Sequence, residues 1–124
     1  LTVDSGNQYF RFGQTSIKIR GTGEFKIENL TQADRTSFSG ELDSRELEEI
    51  FSGSVLGSIW DAKYDDRPGI PDEAMIKLSL FEDGKKIAKL DLWAGVAEKS
   101  PQSEPVVQLL RKIVEKYTKG QFIL

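Results

Sequence analysis

The stretch richest in chemistry is Trp60-Asp61-Ala62-Lys63-Tyr64-Asp65-Asp66-Arg67-Pro68-Gly69-Ile70-Pro71-Asp72-Glu73, which sets five acidic residues beside two aromatics in a segment punctuated by Pro and Gly. Three uses follow from those types: a calcium site, a carboxylate pair, or a contact patch for another protein. Calcium takes about six to eight oxygens from fixed positions, and residues 65–69 lack both the alternating acids and the terminal Glu of an EF-hand loop. Hydrolysis by paired carboxylates needs two acids facing across a cleft in unlike environments. Neighbours such as Asp65 and Asp66 set up no such geometry, and Glu41 and Asp91 carry no spacing signature. A solvated turn, with Trp60 closing the edge of a core, is the plain alternative to a contact patch. The contact reading names Trp60, Tyr64, Asp65, Asp66, Arg67 and Ile70, joined by Trp93 from a second segment, because aromatic side chains dominate protein contacts.

Composition narrows the chemistry further. The chain of 124 residues has neither histidine nor cysteine, which removes structural zinc, thiol nucleophiles and imidazole acid–base catalysis. No catalytic residue, cofactor or metal is therefore assigned, and the sequence points away from an enzyme. A net charge of −3 and a pI near 5.1 argue against nucleic acid, since phosphate recognition needs a dense Lys/Arg face. No apolar run approaches the ~20 residues of a membrane span. The start at Leu1 with a polar lead fits either removal of a signal segment or an artificial chain boundary, so the compartment stays open with a lean toward an extracytoplasmic setting. Gly21-Thr22-Gly23 reads as a turn and not a phosphate loop, because no Lys-Ser/Thr pair follows.

The elements that must position the contact residues follow from periodicity and cap chemistry. Ile17 and Ile19, then Phe25 and Ile27, alternate with charged residues, and a three-residue loop at 21–23 sets Ile19 opposite Phe25 and Ile17 opposite Ile27. The same device at 82–84 predicts Leu78 opposite Ala88, Ile76 opposite Leu90, and Lys77 opposite Lys89. That like-charge pair is tolerable only in water, so one sheet face should be covered and the other wet. Further strands are expected at 9–12 and 36–42. Asp43 caps a helix with Glu46 three residues on, and Leu42 can staple onto Leu47. A longer helix runs from near Ser103 to Thr118 with a broad apolar stripe. Residues 54–72 and 94–102 are expected to be loops, where binding commonly sits.

This defines an α+β fold: a two-layer arrangement with an antiparallel sheet of four or more strands and two helices on one face, in the order hairpin, strand, helix, hairpin, helix. One domain spans 15–119, after a polar lead over 1–14 with room for a short strand and before a tail over 120–124.

The order of elements, with Ser16-Ile17-Lys18-Ile19-Arg20-Gly21-Thr22-Gly23-Glu24-Phe25, Gly40-Glu41-Leu42-Asp43 leading into Leu47-Glu48-Glu49-Ile50-Phe51, and the loop Tyr64 to Asp72, resembles the emfourin-type bacterial metalloprotease inhibitors and a related uncharacterised family of exported domains. The resemblance implies helices on one side of a sheet and, for the inhibitor branch, a protein partner. That partner would be a protease or an envelope protein. The typical cysteine pair of the second family is missing here. A non-enzymatic binding or inhibitor module built on loops 60–72 and 93–102 is therefore expected; an accessory domain with no ligand, or a carboxylate hydrolase, are the alternatives. Partial exposure of Trp60, Tyr64 or Trp93 distinguishes a contact module from a scaffold that buries all three.

Overall fold

In the computed structural model, which describes residues 1–6, 13–52, 59–60, 62–70, 73–122 and 124, alternating apolar and polar residues build an antiparallel sheet of six strands. The chain runs β1 (Thr2–Gly6), β2 (Gln14–Ile19), β3 (Glu24–Leu30), β4 (Arg35–Glu41), α1 (Ser44–Phe51), β5 (Met75–Glu82), β6 (Lys85–Trp93), α2 (Ala94–Lys99) and α3 (Glu104–Thr118). In space the strand order is β4-β3-β2-β1-β5-β6. Val3, Ile17, Ile27, Ile76 and Leu78 are buried on the face that meets the helices, with Val107, Leu110, Ile113 and Val114 of α3 in the same apolar cluster. The opposite face carries Lys18, Lys26 and Lys77 into water, as one-sided cover requires.

The β2–β3 hairpin has the expected register, with Ile19 opposite Phe25 and Ile17 opposite Ile27. Gly23 closes its turn at φ 99°, a backbone state that costs glycine little. The β5–β6 hairpin differs from expectation by two residues. Leu78 lies opposite Leu90, Ile76 opposite Leu92, and Lys77 opposite Asp91 instead of Lys89. Its turn has only two residues, Asp83 at φ 51° and Gly84 at φ 80°, a geometry whose twist matches the flanking strands. Taken alone, that turn would set Ile76 against Asp91. A bulge at Ile87, between the Leu80–Ala88 and Phe81–Lys86 pairs, absorbs one residue and returns the apolar set to a single face.

Two segments without predicted structure are ordered elements. Thr2–Gly6, read above as part of a polar lead, is a central strand paired to both β2 and β5. Its only large apolar side chain is Val3, fully buried, so periodicity had almost nothing to register. Ala94–Lys99, expected to be loop, is a helix that buries Val96 and Ala97. Ser103 donates its hydroxyl to the Ala97 carbonyl at 2.7 Å, joining α2 to the start of α3. The expected C-terminal tail also contributes: Leu124 is buried, and Phe122 meets Phe38 edge-on at 5.6 Å. The strand expected at 9–12 lies outside the described residues.

Cap chemistry at α1 is as the sequence predicts. The Asp43 carboxylate accepts from the Glu46 N–H at 2.8 Å, and Glu46 accepts from the Asp43 N–H at 3.1 Å. Glu46 also receives the Tyr117 hydroxyl at 2.7 Å and Lys116 Nζ at 3.2 Å, so one side chain ties α1 to the end of α3. Tyr117 in turn lies against Phe25 with ring centroids 4.4 Å apart, which seats α3 on the sheet.

Replacing Ile17 with Ala removes a fully buried side chain from this face, and urea unfolding should register a loss of about 2–5 kcal/mol, against about 0.5–1.5 for Ile17→Val. Val3→Asp buries an unpaired charge in the central strand, and no cooperative urea transition should remain.

Candidate functional site

Residues 62–70 follow an irregular path that is held from its far end by the Glu73 carboxylate, just before β5. Arg67 meets it bidentately, Nη1 donating to Oε1 at 2.8 Å and Nη2 to Oε2 at 2.7 Å. The Gly95 N–H at the start of α2 donates at 3.0 Å, and the Ile70 N–H donates at 3.3 Å. Four donors thus converge on a side chain only 7% exposed. The Arg67 guanidinium first, and then the N–H groups of Gly95 and Ile70, hold the Glu73 carboxyl down at about 2, against the burial that would raise it. Glu73 reciprocally pushes the Arg67 guanidinium up. Two further bonds shape the loop between them: the Asp65 carboxylate accepts from the Arg67 N–H at 3.1 Å, and Arg67 Nη1 donates to the Pro68 carbonyl at 3.0 Å.

This clamp needs glycine where backbone approaches side chain. A Cβ on Gly95 would come within 2.6 Å of Arg67 Nη2 and 2.9 Å of Glu73 Oε2. Gly69 lies directly against the indole of Trp93, where a Cβ would fall 2.6 Å from Cζ2. The ring is too rigid to yield, so only glycine permits this contact. The next residue, Ile70, projects 64% exposed.

The seven residues singled out from sequence take different parts in this arrangement. Arg67, Ile70 and Trp93 come together through Glu73 and Gly69. Arg67 directs its guanidinium inward, onto Glu73, and so holds the loop's shape. Trp60 and Tyr64 are half-buried against the core. The Tyr64 hydroxyl donates to the Ile59 carbonyl at 2.6 Å, and burial pushes its phenol pKa up. Trp60 Nε1 is buried with no acceptor among the described residues. Asp65 and Asp66 are exposed. All three aromatics keep some solvent contact, Trp93 included. Sequence reasoning missed Glu73, Gly69 and Gly95. The one available signal was an Arg and a Glu six residues apart around a Pro-Gly turn, which many solvated loops share.

The groups that titrate abnormally bear on catalysis. The displaced carboxyls Glu28, Asp43 and Glu73 are all held low, by Lys26, by the Glu46 N–H and by Arg67 respectively, so none of them supplies the raised acid of a carboxylate pair. Among the described residues, one open depression of about 630 Å³ is lined by residues of β2–β4 such as Lys18, Lys26 and Ser39, and another of about 540 Å³ by residues of α3 and the C-terminus such as Arg111 and Phe122. Neither includes the loop. Among the described residues no group of three or more acidic side chains gathers as metal ligands would, and no helix is long and apolar enough to cross a membrane. No protein-family model matches the chain, and no curated protein or solved structure is detectably similar to it.

Because Glu73 is held below its unfolded value of about 4.3, its contribution to stability is complete above that value and is lost as the pH falls toward 2. The Glu73→Gln variant should therefore unfold more easily at neutral pH yet lose less stability than wild type between about pH 5 and pH 2; urea midpoints across that range measure it. Gly95→Ala forces Arg67 and Glu73 apart, and an NMR titration of the Glu73 carboxyl should find its pKa moved up toward the ordinary range.

Proposed function

We propose that the protein is a non-enzymatic protein-binding module of the protease-inhibitor kind, with Ile70 as the residue offered to the partner. The observation that carries this reading is the pairing of a pinned loop with an exposed apolar tip: four donors on Glu73 hold the segment, while Ile70 stands 64% exposed beside a half-buried Trp93. A loop ordered before association loses little conformational entropy on binding, and that favours tight contact with a pocket on another protein. Pro68 beside the tip restricts the backbone further. Partial exposure of Trp60, Tyr64 and Trp93 supports a contact role over a scaffold that buries all three. The likeness to emfourin-type inhibitors points the same way, toward an exported protease as partner and an extracytoplasmic setting.

Inhibition assays against a purified thermolysin-like metalloprotease and a subtilisin-like serine protease test the reading. The wild-type domain should inhibit one of them without being consumed. Ile70→Ala should weaken inhibition about tenfold or more, the effect of removing a central anchor, whereas Asp66→Asn should leave it unchanged. No inhibition of either enzyme, or equal potency for Ile70→Ala, overturns the proposal.

A further inference from the structure

The large apolar side chains exposed among the described residues are Ile70, Phe81 and Ile87, with Phe81 and Ile87 at the turn end of the β5–β6 hairpin and Ile70 near its other end. Ile87 belongs to β6, Phe81 pairs with Lys86 of β6, and Ile70 follows the glycine packed on Trp93, the last residue of β6. Among the described residues β6 is an outer strand, paired only to β5, so every second residue along its nine-residue length turns backbone N–H and C=O groups outward. Its two faces also lack something. On the core side Ala88 and Leu90 stay half-exposed beside Leu78, which is fully buried; among the described residues no further strand covers them. On the solvent side stand Lys86 and Lys89, the latter 3.5 Å from Asp91, with Lys85 opposite Glu82 at the turn. The other outer strand, β4, offers no comparable strip: it has Arg35 at one end, Glu41 at the other, and no exposed large apolar residue.

We infer that β6 accepts an extended, acidic segment of a partner protein as a seventh strand. Backbone pairing would supply the register. An added strand alternating acidic and apolar residues would place its acids along the lysine side and its apolar side chains over Ala88 and Leu90. The same lysines disfavour a second copy of this chain, because the strand centred on itself sets Lys89 against Lys89, and like charges directly opposite are destabilising. Lysine on an edge strand thus blocks self-association and selects an acidic partner through one charge pattern. The inference enlarges the contact surface proposed for the Ile70 loop, but it stands on the edge strand alone and does not depend on that loop's partner.

Titration of the isotope-labelled domain with a short capped peptide of alternating Glu and Val, followed by amide shifts in NMR spectra, tests it. Shifts should concentrate on β6, fade at high salt, and be absent with the matching Lys–Val peptide. The double variant Lys86→Glu/Lys89→Glu, whose exposed positions leave the fold intact, should lose about tenfold in affinity for the Glu–Val peptide and gain response to the Lys–Val one. Ile70→Ala should titrate as wild type does, so this result and the protease assay report on separate surfaces. Equal response to both peptides or no response to either overturns the inference. So does a dimer in sedimentation that consumes the edge, and so do shifts at Phe81 and Ile87 appearing only with anionic lipid vesicles.

Discussion

Everything in the sheet depends on β1 lying between the two hairpins. Among the described residues neither hairpin pairs with the other: β2 and β5 are joined through Thr2–Gly6, which pairs with β2 on one side and β5 on the other. An isolated hairpin is marginal in water, and three or more strands with a covered apolar face are needed for stability. β1 converts a three-stranded unit and a two-stranded ribbon into one surface wide enough for the helices packed on it. It does so with little hydrophobic material of its own, Val3 being its only large buried side chain. Next to it the core admits a polar row, Ser5, Thr15 and Asn29, all buried, in which Asn29 donates to the Thr15 hydroxyl at 3.1 Å. Such a row is tolerable only where hydrogen bonds replace those lost to water.

Two carboxylates then organise what the sheet supports. Glu46 gathers the α1 cap, Tyr117 and Lys116, fixing how α1 and α3 meet. Glu73 gathers Arg67, Ile70 and Gly95, fixing how the irregular segment meets α2. Each works in the same way: a carboxylate with several lone pairs satisfies donors from segments distant in sequence, in surroundings shielded enough for those bonds to count. The difference lies in what is left outside. Glu46 joins two helices, whereas Glu73 leaves an exposed isoleucine on a held backbone, near the end of an outer strand.

The strands β2, β3 and β4, the Asp43–Glu46 capping box and the apolar stripe of α3 were legible in the sequence, because each is specified within a few residues: alternation over one strand, a cap over four positions, a helical period over a few turns. The candidate site was half legible. Trp60, Tyr64, Arg67, Ile70 and Trp93 stood out by type, but the residue that holds Arg67 and Ile70 in place, Glu73, reads as one more acid in an acidic loop.

Local pattern determined which residues face the core and where the main helices begin and end, since side-chain direction in a strand or helix follows from backbone geometry alone. Tertiary structure decided the rest. Strand β1 earns its place by hydrogen bonds to two neighbours that are remote in the chain; the β5–β6 register depends on a bulge that a regular alternation does not encode; α2 is anchored by the Ala94 N–H bonding to the Ala74 carbonyl at 2.8 Å. The role of Glu73 exists only once Arg67 and Gly95 arrive beside it. These are interactions between groups far apart along the chain, and their free energy appears only when folding has removed the water between them.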